Sequence, residues 1–410
     1  MASTSIRQGK KVRDGRPPRQ KWGAVVLIAP LALFLLFVYA VPLYEILARG
    51  VVDNELSTTW PRVSAALHGW NAQVPGEDVF AALAEDMKAS QKLRITAIAA
   101  RRLNYAQPGG RTLVMSTARQ IAGMEAPPAT GWKAAFVQIN PLWNDREIWQ
   151  DLYQASGPVS GFFLLAAFDR RLNADGGISL VPSDNRIYVD ILLRTFAIAL
   201  SVTLVCLVMA FPLAYLMANG PPKLARLAFL LVLLPLWTSV LVRTAAWFVL
   251  LQDEGLINQG LRYLGITSDP VPLIFNRFGL IVAMVHVSLP YMVLPIYASM
   301  KAIKPDYLRA ALSLGAKPLY AFIRVYMPLA IPGLAAGSIL VFIMALGYYI
   351  TPALIGGASD QMISYFIAYY TTDSVNWGFA GALSIVLLVA TSVLYVLYSK
   401  LSSGKGAAVA

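Results

Sequence analysis

The sequence predicts an all-α membrane protein of about six transmembrane helices, with one large folded domain between the first two. Three observations predict it. Of 410 residues, 57% are hydrophobic and 14% charged, which is more apolar surface than a soluble domain of this size buries. Six apolar, almost uncharged runs approach the roughly 20 residues that cross ~30 Å of hydrocarbon. The stretch 45–188, by contrast, mixes charge with Gly and Pro, as a water-facing fold does.

The chain opens on a basic tail, 1–22, carrying Arg7, Lys10, Lys11, Arg13, Arg16, Arg19 and Lys21. The first run, Ala24 to Tyr44 within a transmembrane helix at 23–44, continues into Glu45 without the small-residue site of a cleavable leader, so it reads as a signal anchor. Within 45–188, Phe80, Leu83 and Met87 recur at helical spacing and predict an amphipathic helix from Asp78 to Asn104. Gly161 to Phe168 is apolar but too short to span. Pro108-Gly109-Gly110 and Pro127-Pro128 mark turns. The remaining unit, 189–402, holds five further runs: Ile191 to Ala218, Leu227 to Leu251, Gly279 to Met300, Ile331 to Ile350, and Phe379 to Tyr398. A tail at 403–410 follows.

Lys and Arg divide unequally between alternate sides of these runs. One side carries 16, and the short loops of the other carry Arg262 and Arg277. By the positive-inside rule both termini are expected in the cytoplasm and 45–188 outside, long segments being translocated regardless of their charge. The net charge of +12 resides in the tail and loops, which suits a membrane surface and not nucleic acid.

Several chemistries are excluded. One cysteine, Cys206, and two distant histidines, His68 and His286, build no metal site of ordinary ligand spacing. Neither a G-x-x-x-x-G-K-[ST] phosphate loop nor a G-x-S-x-G elbow occurs, so the chain is expected to be no enzyme and to hold no cofactor. The runs contain almost no acids, whereas proton-driven carriers place Asp, Glu or His relays at membrane depth. Two ionisable groups do fall within runs, Arg243 and His286. With Trp237, Tyr348 and Tyr349 they are the candidate translocation-path residues, the plainer readings being an interhelical tie for Arg243, a hydrogen-bonded core histidine for His286, and aromatic packing or anchoring for the others. Asp190, Asp253, Glu254, Asp360 and Asp373 near the outer ends are either carboxylates for a cationic solute or solvated loop charges.

The loop 301–328 is the most specific segment. Pro305 suits a first helical turn and Gly315 a helix stop, predicting a short helix from Asp306, a glycine turn, and a second short helix before Met327-Pro328. An amphipathic helix in the membrane interface is the alternative. The run Arg309-Ala310-Ala311, Gly315, Val325, Met327, Pro328 resembles the E-A-A-x3-G-x9-I-x-L-P loop of permeases of ATP-binding cassette importers. Its spacing is kept throughout, with Arg309 where that pattern has an acid. Leu234-Pro235-Leu236-Trp237-Thr238-Ser239, Leu294-Pro295-Ile296-Tyr297 and Thr351-Pro352-Ala353-Leu354-Ile355-Gly356-Gly357 are similar to the spermidine/putrescine-type permeases, a family in which the segment matching 45–188 is usually much shorter.

The resemblance implies the type I importer permease fold in a bacterial inner membrane. It also implies that Asp306, Arg309, Ala310, Ala311, Gly315, Val325, Met327 and Pro328 form a coupling loop seated on a separate ATPase, with ATP and Mg held in that partner. A second permease subunit, an extracytoplasmic solute-binding protein and membrane lipid complete the expected partners. The solute it implies is a small nitrogenous one, a polyamine first and an opine or amino-acid-like compound as the alternative. A membrane sensor and a stand-alone secondary carrier rank lower.

Overall fold

In a computed structural model that describes residues 18–126 and 128–406, the chain is almost wholly helical. The basic tail through Pro17, the turn residue Pro127, and residues 407–410 lie outside the described residues. Among the described residues, five helices are long and apolar enough to cross a membrane: Val26–Arg49 (span 1), Tyr188–Asn219 (span 2), Arg277–Ala302 (span 4), Pro318–Gly347 (span 5) and Trp377–Lys400 (span 6). Span 3 is a bent pair, Pro222–Trp237 and Val240–Leu250, turned through 101°.

That bend departs from the single run expected at Leu227 to Leu251, and its cause is local. Pro235 offers no N–H, the chain tightens into a 3-10 turn over Leu234–Trp237, and Thr238 is extended. Ser239 then starts a new helix by accepting the Val242 N–H on its Oγ at 3.2 Å. Span 5 likewise stops at Gly347, before the expected Ile350, because Tyr348 turns to extended backbone; a short helix, Ile350–Ile355, follows as a hairpin.

Spans 2, 4 and 5 pack on one another around Cys206, Ala210, Met284, Met292, Val341 and Ala345, all buried. Apolar surface gains little by leaving lipid for protein, so close approach of backbones has to supply the association. Gly333 shows it: a Cβ there would meet the Pro295 carbonyl oxygen of span 4 at 2.8 Å. Span 1 differs from the others, none of its most apolar window being buried against the rest of the chain.

Between spans 1 and 2 the chain folds into a helical domain with its own core of Trp60, Phe80, Leu83, Met87, Phe136, Trp143 and Trp149. The expected helix from Asp78 to Asn104 is two helices, Glu77–Lys92 and Thr96–Ala106, broken where Arg94 takes a left-handed φ of 60°. Phe80, Leu83 and Met87 are nonetheless fully buried on the first of them, as their spacing requires. A two-stranded antiparallel hairpin, β1 (Arg170–Leu172) and β2 (Ile178–Leu180), returns the chain to span 2.

The domain joins the spans through a built junction. Arg102 Nη2 and Asp53 Oδ2 form a buried pair at 2.6 Å, and the guanidinium lies 4.3 Å from the Phe162 ring centroid. Phe163 covers the start of span 6 at Gly378. Asp169, itself at φ 55°, accepts the N–H groups of Ile187, Tyr188 and Val189, which caps the first turn of span 2. The hydroxyls of Tyr188 and Tyr370 meet at 2.5 Å above that cap.

Candidate functional site

The loop after span 4 begins as predicted. Lys304 is extended, Pro305 opens a helix, Pro305–Ser313, and Gly315 closes it at φ 88° while the Ala316 N–H donates back to Ala311. Open space surrounds the position where a Gly315 Cβ would stand, so glycine is required there for its backbone angle and not for clearance within the chain. The expected second short helix is instead the beginning of span 5, a one-turn helix, Pro318–Ala321, and a π turn, Phe322–Tyr326, running on without a break into Met327–Gly347.

The coupling-loop residues divide into two groups. Asp306, Arg309, Ala310 and Gly315 are exposed at the tip and Ala311 is half-buried there, whereas Val325 and Met327 are half-buried at the root beside exposed Pro328. Arg309 pairs with Asp306 at 3.6 Å, one helical turn away, both highly exposed. Such a pair is worth little, but it meets the Arg309 charge inside the loop.

The alanine-glycine pattern marks small residues, and the structure adds the large ones beside them. Leu314 is 89% exposed, and Leu319, Tyr320 and Tyr307 are also largely exposed. Apolar side chains clustered at one tip mark an interaction site, with protein or with membrane. The signal was legible as Leu and Tyr flanking the glycine turn of an otherwise charged loop. At the root, the Asn219 amide donates to the Tyr326 hydroxyl at 2.6 Å, and the Tyr215, Phe322 and Tyr326 rings stack or meet edge-on. These contacts tie the root of the loop to the end of span 2.

A second cluster lies where span 3 bends and span 5 ends. Arg243 is 7% exposed; its Nε contacts the Ser239 carbonyl at 3.5 Å and its Nη1 has no hydrogen-bond partner among the described residues. The Ser288 Oγ and Tyr348 Oη are likewise buried with no hydrogen bond of standard geometry among the described residues; they lie within hydrogen-bonding reach of each other, and Tyr348 within electrostatic reach of Arg243. Thr244 and Thr351 hydroxyls meet at 3.1 Å. The Trp247 indole N–H donates to His286 Nδ1 at 3.0 Å, which leaves the neutral ring's proton on Nε2. Three unpartnered buried polar atoms beside two helix breaks are an arrangement able to meet a polar solute or water.

The structure therefore gathers Arg243, His286 and Tyr348 and adds Ser288, Thr244 and Thr351, which sequence reading passed over because hydroxyls in apolar runs carry no pattern. Trp237 and Tyr349 are not part of this cluster; the first is 79% exposed and the second 45%. Among the outer acids, Asp360 is buried and tied to Arg277 at 2.9 Å, and Glu254 pairs with Arg262 at 2.8 Å. Asp190, Asp253 and Asp373 are exposed.

Residues 210–403 match the family model described as binding-protein-dependent transport system inner membrane component. The spermidine/putrescine transport system permease protein PotB of Escherichia coli (strain K12) is 34% identical over 216 residues, covering 53% of this chain and 78% of that protein. The Haemophilus influenzae protein of the same name is 33% identical over 214 residues, 52% of this chain and 75% of its own length. The E. coli inner membrane ABC transporter permease protein YdcU is 36% identical over 181 residues, 41% of this chain and 57% of that protein. A solved bacterial alginate ABC transporter, in complex with alginate pentasaccharide-bound periplasmic protein, overlaps 53% of this chain and 78% of its own at a TM-score of 0.45 and 19% identity. The domain between spans 1 and 2 lies outside the 210–403 match. The chain belongs to the family of binding-protein-dependent transport system inner membrane components, as a non-catalytic, multi-pass permease subunit of an ATP-binding cassette importer.

Proposed function

We propose that this chain is one permease half of an importer whose second permease, solute-binding protein and ATP- and Mg-binding ATPase are separate chains. Both termini and the 301–328 loop face the cytoplasm, and the domain between spans 1 and 2 faces outward. One observation carries the coupling role: the exposed apolar tip of Leu314, Leu319 and Tyr320, in water, needs a protein groove to cover it. Closure of the ATPase dimer pulls that tip, and the Asn219–Tyr326 contact passes the movement to span 2.

The solute is a small nitrogenous compound, and the relatives named for spermidine and putrescine support a polyamine. A second reading, an amino-acid-derived solute, is favoured by Arg243, whose unpartnered buried guanidinium suits a carboxylate better than an ammonium.

The test is ATPase recruitment and uptake in liposomes holding this chain, its ATPase and its second permease. Leu314→Ala is expected to weaken ATPase binding roughly tenfold while leaving membrane insertion intact. Unchanged affinity would remove the coupling role from the loop. Loaded binding protein carrying spermidine or putrescine should stimulate hydrolysis; stimulation by an amino-acid-derived solute alone would replace the polyamine reading with the second one.

A further inference from the structure

We propose that the β1–β2 hairpin is an interfacial foot, resting in the phospholipid headgroup layer at the end of span 2 where Tyr188 lies. Nothing in the transport role requires it, and it lies outside the 210–403 match to the family model.

Position comes first. The Asp169 carboxylate immediately before β1 caps Ile187, Tyr188 and Val189, and the Asp169 carbonyl accepts the Val181 N–H at 3.0 Å. The Arg186 Nε donates to the Val181 carbonyl at 2.5 Å. The base of the hairpin is therefore fastened directly to the first turn of the span.

Chemistry follows. In the strand register Arg170 opposes Leu180 and Leu172 opposes Ile178, so these four share one face. Ile178 and Leu180 are about half exposed, and Phe168 and Ile187 beside them are also exposed. Leaving these residues in water forfeits burial. Arg170 and Arg186 are exposed and form no ion pair among the described residues. Apolar side chains rimmed by unpaired Arg match the boundary between acyl chains and anionic headgroups.

Continuity identifies the occupant. From the hairpin, Val189, Leu193, Leu200, Leu204 and Val208 form an exposed stripe down span 2 at spacings of four and seven. That stripe is the lipid-facing surface of the span, and the hairpin prolongs it into the interface.

The experiment uses the full chain in nanodiscs of phosphatidylcholine, with and without phosphatidylglycerol. In a Cys206→Ala background, which removes the sole cysteine, single cysteines from Ile178→Cys or Leu180→Cys carry an environment-sensitive fluorophore. Leu93→Cys is the comparison: Leu93 is exposed, and the helix Thr96–Ala106 separates its end of the domain from the junction by about 16 Å. Headgroup nitroxide should quench the labels at 178 and 180 about threefold more than the label at 93, and phosphatidylglycerol should strengthen this until Arg170→Gln and Arg186→Gln are combined. Labels at 178 and 180 as open to iodide as the one at 93 would overturn the proposal. So would protection that arises only after a second protein chain is added. A label from Val208→Cys must be quenched by mid-chain nitroxide; failure there would instead overturn the spanning assignment of span 2, and the foot with it.

Discussion

The domain between spans 1 and 2 and the bundle of spans 2, 4 and 5 bury their interiors by opposite means. In the domain the centre is large and aromatic, and each indole N–H has a partner: Trp60 donates to Ser90, Trp143 to Thr117, Trp149 to the Trp143 carbonyl. In the bundle the contacts are made by Ala, Gly, Met and Val, and the unpartnered polar atoms of Arg243, Ser288 and Tyr348 are retained. Water rewards burial of bulk, so the domain fills its centre with Trp and Phe and pairs the three central indole N–H groups, while elsewhere it too keeps buried polar atoms without a partner among the described residues, Ser64 Oγ and Tyr105 Oη among them. Lipid rewards fit alone, so the bundle depends on small residues.

The comparison breaks most visibly by truncating an aromatic in the domain. Trp143→Ala removes a fully buried ring, its edge contact with Phe136 and the hydrogen bond to Thr117, an expected loss of about 4 kcal/mol. Amide exchange should show the domain opening while spans 2, 4 and 5 stay protected. Opening of both together would mean that the junction at Asp53, Arg102 and Phe163 makes one cooperative unit of the two. The bundle is tested by the converse change. Gly333→Leu drives a side chain into the Pro295 carbonyl and Ser299, an expected overpacking cost of about 2 kcal/mol, read as a lower melting temperature of the spans in detergent. A neutral outcome would show that spans 4 and 5 do not depend on close approach.

Legibility followed the same division. Apolar runs place four spans to within a few residues, because composition over about 20 positions is a strong signal, whereas span 5 begins at Pro318, well before the expected Ile331; the first helix of the loop and its glycine stop follow from Pro305 and Gly315. The breaks were not legible. Pro235 lies within an apolar run that reads as one helix, and it is the Ser239 cap, a contact three residues long, that turns the chain through 101°. The hairpin at Tyr348 depends on packing against Thr244 and the Phe275 backbone, far away in sequence. The Arg94 break is of the same kind, a charged residue in a left-handed conformation that periodicity does not register. Of the candidate site, the ionisable members Arg243 and His286 stood out as charges in apolar surroundings, while Ser288, Thr244 and Thr351 emerge only when the two breaks are brought together.

The smallest effect sharpens the comparison by pH. Asp151, on the domain helix Arg146–Ser156, is pushed up to about 7 from 3.8, chiefly by burial; Glu147 and Asp145 add to the rise, and Arg102 and Arg171 oppose it. The folded domain therefore holds a proton on this carboxyl that the unfolded chain releases near pH 4. Its stabilising contribution is complete below that pH, declines as pH rises through 7, and becomes a constant cost above. Because the side chain retains some contact with water, the cost above pH 7 is set at about 2 kcal/mol, less than the full shift implies. Asp151→Asn should raise the domain's melting temperature at pH 8, leave it unchanged at pH 4, and flatten the profile between. A slope that survives the substitution would show that Asp151 does not set the pH dependence, and that even in the water-facing region a buried carboxyl can be tolerated charged when two guanidinium groups, those of Arg102 and Arg171, are near.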